Sequence, residues 1–199
     1  MTATQELPLF PLHTVLFPGG TLPLRIFETR YLDLISACLR TDSGFGVVTI
    51  HEGRETGGPP TRIHPVGTLA RIVDFDQLDD GVLGITCLGA QRLRVINHHV
   101  RPDQLLIGQV RWLPDDPALP TLPSHEPLVR VLRDLLEREE LLPYRRFLTP
   151  DWEDAAWVGN RLAEILPLPP HVRHTLLEMT EPRQRLDILL AIFQEQNIA

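Results

Sequence analysis

The chain has 199 residues, 43% of them hydrophobic and 23% charged, which suits the folded core of one large domain or two small ones. The formal net charge of −7 argues against a nucleic-acid binder, which needs basic surface to displace counterions, and no apolar run approaches the ~18 residues that span a bilayer. All nineteen basic residues are arginine, so a Walker A lysine, a Schiff-base lysine and a serine-activating lysine are all excluded.

Residues 1–7 lack the basic-then-apolar pattern of a secretory signal, and a cytoplasmic location is expected. Residues 7–10 and 15–17 are short apolar runs broken by Pro11 and by Pro18-Gly19-Gly20. Residues 21–27 continue extended, with Pro23 placing them at a sheet edge or a bulge. The period then changes: over residues 28–40, Tyr31, Leu32, Ile35, Cys38 and Leu39 recur at helical spacing, and Thr41-Asp42-Ser43-Gly44 ends the helix.

A strand is predicted at 45–50, followed by a surface loop at 51–65 whose Gly57-Gly58-Pro59-Pro60 composition suits mobility. Further strands follow at 67–78, 82–88, 91–100 and 105–113, with Asp79-Asp80-Gly81 as a hairpin turn. Arg92, Leu93, Arg94 and Val95 alternate as a half-buried strand would. Closely spaced strands of this kind build a small barrel or a sandwich.

Proline dominates the stretch from Pro114 to Pro123, and the chain beyond it is helical. Ser124 is placed as the cap of a helix with Pro127 in its first turn and Leu128, Val131, Leu132, Leu135 and Leu136 on one face. Asp151 is placed as the cap of the next, which buries Trp152, Ala155, Ala156, Leu162, Ala163 and Leu166. A short helix carries Val172, Leu176 and Leu177. A last one, capped by Thr180, carries Leu186, Leu189, Leu190 and Phe193. Short loops between amphipathic helices imply an antiparallel bundle.

The opening of the chain is distinctive. Leu7-Pro8-Leu9-Phe10-Pro11-Leu12, Phe17-Pro18-Gly19, Leu22-Pro23-Leu24 and Ile26-Phe27-Glu28 with Arg30-Tyr31 follow one another in a short window. With Phe45-Gly46-Val47-Val48, Val66-Gly67-Thr68-Leu69-Ala70-Arg71-Ile72 and Gly89-Ala90-Gln91-Arg92-Leu93-Arg94-Val95, the sequence resembles the Lon N-terminal domain family over nearly its whole length. The resemblance implies an α+β fold, a PUA-like β-barrel module with one helix (residues 1–117) joined by a Pro-rich linker (118–123) to an α-helical bundle (124–199). In Lon proteases this region precedes an ATPase module and a Ser-Lys protease domain and helps to select unfolded or tagged substrates. Cereblon-type ubiquitin-ligase receptors carry a Lon-like region as well. The lysine-free sequence contains neither enzymatic module.

No constellation for catalysis can be assembled. Ser36, Ser43 and Ser124 lack a nucleophile-elbow context, and Cys38 and Cys87 lie in apolar patterns that suit free core thiols. His171 and His174 could share a metal only with a third ligand, and no motif supplies one. Asp79-Asp80 and Asp115-Asp116 read as solvated turn carboxylates. The expectation is a non-catalytic, polypeptide-binding adaptor without metal or cofactor. Its partners would be unfolded or tagged polypeptide and a protease or chaperone machine. Arg25, Glu28, Thr29 and Arg30 at the first helix start are the candidate contacts, with Glu28 either favouring the helix dipole or pairing with an arginine such as Arg25. The alternative, an RNA-binding PUA-like module, would need Arg92, Arg94, Arg101 and Arg111 to gather on one face.

Overall fold

The computed structural model describes residues 4–195, and its contacts separate into two units with the boundary between Pro114 and Asp115. The first unit holds β1 (Gln5–Leu12), β2 (Thr21–Ile26), α1 (Thr29–Thr41), β3 (Phe45–Glu52), β4 (Arg62–Gln77), β5 (Leu83–Val100) and β6 (Leu106–Trp112). The strand order is β2-β5-β4-β3-β1-β6, and β5 also pairs with β6. Five strands thus close a ring, and β2 hangs outside it on β5. Among the described residues only β1 and β3 run parallel. Register shifts interrupt the β3–β4, β4–β5 and β5–β6 ladders, so the ring is a bulged closure rather than a regular barrel. The α+β class is as expected.

The continuous apolar character of β1 has a simple cause: both its faces are buried. Leu7 and Leu9 join a cluster with Val48, Leu93 and Val110, while Phe10 and Leu12 join a second one with Ile35, Phe45 and Ile107. Helix α1 covers the second cluster with Tyr31, Leu34, Ile35 and Cys38; Leu34 replaces the expected Leu32 and Leu39, which are exposed. Phe10 and Tyr31 stack with ring centroids 4.0 Å apart. Left-handed Asp42 closes α1, and the amides of Asp42 and Ser43 both donate to the Cys38 carbonyl. Cys38 and Cys87 are free and buried. Burial pushes the Cys87 thiol up to about 12 and raises that of Cys38, which leaves both protonated and unreactive at neutral pH.

Two expectations about the strands need correction. Residues 15–17 form no strand, and residues 83–100 are one long strand with no break at Gly89. Phe17-Pro18-Gly19-Gly20 is a tight turn: Gly20 N–H donates to Phe17 O at 3.1 Å, and Gly19 has φ 74°. The turn lies flat against Gly89, exchanging Gly19 N–H to Gly89 O and Gly89 N–H to Gly20 O, each 2.8 Å. Thr68 Oγ1 adds a buried 2.6 Å bond to Leu16 O. Gly89 therefore marks a close backbone approach. The hairpin turn at Asp79-Asp80-Gly81 is as expected, with Gly81 at φ 82°. Arg92 breaks the expected polar-out alternation; it is 3% exposed and donates to Pro114 O.

The second unit starts its helices with a 3-10 turn, Pro123–His125, then α2 (Glu126–Glu137), α3 (Leu142–Arg145), α4 (Ala155–Ile165), α5 (Pro170–Glu178) and α6 (Pro182–Glu195). Helix α3 has no counterpart among the predicted elements, because its four residues are too short for a periodicity signal. The buried face of α2 is Leu128, Val129, Leu132 and Leu136, with Val131 and Leu135 half-buried. Ser124 lies inside the 3-10 turn and caps nothing. Asp151 is not the cap of α4; Asp154 is, accepting from Ala156 N–H at 3.3 Å and Trp157 N–H at 3.0 Å. Asp154→Ala is therefore expected to cost about 1 kcal/mol in urea unfolding, a typical N-cap loss, and Asp151→Ala clearly less. Among the described residues no helix is long and apolar enough to cross a membrane.

Candidate functional site

The predicted contacts all fall where β2 runs into α1, but the structure gives them unequal roles. Among the described residues β2 pairs only with β5 and forms the end of the strand order, as Pro23 implied. Arg25 is exposed and bonds Asp80, across the β4–β5 turn, instead of Glu28. The Asp80 carboxyl sits below the ordinary aspartate range, chiefly because Val82 N–H donates to it and secondarily because of Arg25. Glu28 is the residue before α1. Its carbonyl receives the Tyr31 and Leu32 amides at 2.9 and 3.0 Å, while its carboxylate pairs with Arg30 at 2.9 Å. Thr29 is exposed on the first turn.

Arg30 lies inside. Its side chain is 5% exposed, and it donates to Gln104 O at 2.9 Å and Gly58 O at 3.4 Å. Its guanidinium also stands 4.6 Å from the Tyr31 ring centroid. Gln104 holds φ 67°, so Arg30 fixes a strained turn as well as the loop at 53–61. The same loop is tied at a second point by Glu55, whose Oε1 accepts from His13 N–H at 2.6 Å. Burial pushes the Tyr31 hydroxyl up to about 12 against the opposing pull of Arg30, so it stays neutral. Arg30 is thus a fastening residue that shapes the surface made by its neighbours.

Three depressions meet at this corner. One of about 350 Å³ lies between β2 and the β4–β5 end, floored by Leu24, Leu78 and Ile85 and flanked by Phe75, Asp74 and Asp76. A second, of about 300 Å³, shares Pro23, Leu24 and Arg25 with it and reaches Phe10, Phe27, Tyr31 and Glu55. A third, of about 440 Å³, continues from Phe27 and Glu28 over Thr29 to Gly58 and Asp103. Phe27 and Phe75 are each 60% exposed. Neither was singled out from the sequence. The available signal was Phe75 between Asp74 and Asp76, an aromatic side chain on a strand stretch otherwise written for water.

The other candidates are dispersed. Arg92 is buried, Arg101 pairs with Asp103 at 2.6 Å, and Arg94 and Arg111 face each other across the β5–β6 ladder. His171 is exposed while His174 is buried. Among the described residues no three His, Cys, Asp or Glu side chains are grouped to hold a metal.

A bulged ring of strands with one covering helix, followed along the chain by a helical unit, defines an α+β protein whose first unit carries an apolar corner at its edge strand. The sequence profile of the ATP-dependent protease La (LON) substrate-binding domain matches residues 6–195, and the chain belongs to that family. A Lon N-terminal domain protein from Xanthomonas campestris, known as a crystal structure, is 43% identical; the match covers 94% of this chain and 98% of that one, with a TM-score of 0.75. The N-terminal domain of the Mycobacterium avium complex Lon protease shares the fold at 18% identity and a TM-score of 0.61, over 94% and 97% of the two chains. Lon protease 2 of Myxococcus xanthus is 24% identical over 96% of this chain but only 24% of its own length. The chain thus spans about a quarter of the length of that relative.

Proposed function

We propose that this chain is a non-catalytic polypeptide-binding domain that holds extended, unfolded or tagged segments along β2, and that it acts as an adaptor to a protease or chaperone machine. The observation that carries the reading is the pair of exposed phenylalanines, Phe27 and Phe75, flanking the linked depressions at the edge strand. An aromatic ring at an edge combines apolar area with access to free backbone groups, which suits strand addition with alternate side chains in pockets. Arg25, Glu28 and Thr29 would supply the polar rim, with Arg30 positioning it. Asp74, Asp76 and Glu55 leave carboxylates beside the apolar floor, which favours segments that mix apolar with basic side chains.

Fluorescence anisotropy with a labelled, permanently unfolded protein tests this. Micromolar binding is expected, weakened about ten-fold or more in the Phe27→Ser/Phe75→Ser variant with little change in melting temperature, because aromatic anchors dominate such interfaces. No binding at high micromolar concentration, or binding indifferent to both phenylalanines, would refute the assignment.

A further inference from the structure

We infer that the helical unit carries a second binding site, specific for a short acidic and apolar peptide segment of a partner protein. The site is a depression of about 520 Å³ between the end of α2, α3 and the segment leading to α4. This is the volume range in which protein pockets enclose ligands. Its wall is apolar, with Leu142 45% exposed and the Trp152 indole half-buried. Its rim carries three exposed guanidiniums, Arg133, Arg145 and Arg146, against one carboxylate, Glu137.

That balance is unusual in a chain of net charge −7. Most of the exposed arginines with a described partner are matched to acids: Arg25 to Asp80, Arg62 to Glu52, Arg101 to Asp103 and Arg130 to Glu126. Arg133 and Arg145 on this rim differ. Arg133 lies 4.4 Å above the Trp152 ring, and Arg145 gives one N–H to Leu136 O at 2.7 Å. Neither is paired with a carboxylate among the described residues, and a guanidinium over a ring face can still offer N–H groups to an acceptor. A guanidinium held over an aromatic ring beside an apolar hollow matches one ligand pattern: a large apolar side chain in the hollow, with carboxylates on either side meeting the guanidinium N–H groups. The charge is opposite in sign to that around β2, so the two sites would take different segments.

The test uses the full chain and a fluorescein-labelled octapeptide that alternates aspartate with leucine and phenylalanine, read by anisotropy. Saturable binding is expected. It should fall roughly five- to ten-fold when the aspartates are replaced by asparagine and by a similar factor in Arg133→Gln, and it should collapse as salt is raised to about 1 M and the screening length drops to ~3 Å. Arg133→Lys, which keeps the charge but loses the fork, should fall between. Leu142→Asp, at a side chain exposed enough to leave folding intact, should abolish binding independently. Phe27→Ser/Phe75→Ser should leave this peptide's affinity unchanged, which separates the two sites. Equal binding of the acidic and amide peptides, indifference to Arg133→Gln and Leu142→Asp, binding of decanoate in place of the peptide, or self-association of the chain through this surface would each overturn the proposal.

Discussion

Arg185→Ala is expected to lower the stability of the helical unit by roughly 3–5 kcal/mol, the cost of removing one partner from a buried ionic network. Arg185 is 1% exposed and spends its guanidinium on four acceptors. Nε donates to Leu176 O at 3.0 Å and Nη2 to Met179 O at 2.7 Å, two carbonyls at the end of α5 that a helix leaves without internal partners. Nη1 donates to the Asp116 carboxylate at 2.8 Å and to Asn160 Oδ1 at 2.9 Å, joining the start of the unit to α4. One side chain thus ties α4, α5, α6 and residue 116 together. Gly159 is part of the arrangement: a Cβ there would stand 3.3 Å from Arg185 Cδ, so the glycine makes room for the stem. Arg185→Met keeps most of the apolar stem and removes every donor. It is expected to lose nearly as much stability as alanine, because the orphaned acceptors and not the lost volume carry the cost. Urea unfolding followed by helical circular dichroism and by emission from Trp152 and Trp157 measures both variants. A loss below about 1 kcal/mol, the scale of an ordinary surface substitution, would mean that water replaces the guanidinium without penalty.

Arg185 also marks a limit of what the sequence can say. Periodicity assigned α1, α2, α4, α5 and α6 to about their true places, because aliphatic side chains at three- and four-residue spacing line one face of a helix and would scatter over both faces of a strand. The same logic writes arginine onto the solvent face, yet Arg30, Arg92, Arg161 and Arg185 are all buried. A guanidinium enters a core only when acceptors converge on it, and for Arg30, Arg92 and Arg185 some of them come from distant parts of the chain, at Gln104, Pro114 and Asp116, which no local window contains. Helix caps failed for a related reason. Asp151 and Asp154 are both good capping residues three positions apart, and the choice between them depends on where α4 can pack. At the candidate site, the junction of β2 and α1 was legible from the change of period and from Pro23. Its exposed aromatic residues were not, because Phe27 and Phe75 look like core residues until the ends of the sheet are known. The opening motif was legible as a set of turns, but its docking partner lies far downstream at Gly89, in a strand that the local pattern splits at that very residue.

That docking point yields the second large effect. Gly89→Ala is expected to destabilise the β-rich unit by about 3 kcal/mol or more, and Gly89→Val by more still, as overpacking against fixed atoms does. Gly89 does not need a left-handed backbone, so the whole effect is steric. A Cβ at this position would stand 2.1 Å from Phe17 O and 3.0 Å from Phe17 C, and both obstacles are backbone atoms that cannot rotate away. The turn must lift off β5, which breaks the two 2.8 Å bonds between Gly19, Gly20 and Gly89, each worth about 1 kcal/mol. Lifting it also draws on Phe17, which is wholly buried and whose exposure costs on the order of 1.5–3 kcal/mol. Gly57→Ala is the matched control. Gly57 has φ 83° but nothing within 4 Å of its virtual Cβ, so only left-handed strain of roughly 1–2 kcal/mol applies, in a loop able to relax it. Thermal unfolding of the first unit, followed through Trp112 emission, should fall by about 10 °C or more in Gly89→Ala and by much less in Gly57→Ala. If Gly89→Ala melted with the parent protein, the Phe17-Pro18-Gly19-Gly20 turn would not be seated on β5, and the prolines and glycines that open the chain would have to serve some end besides this docking.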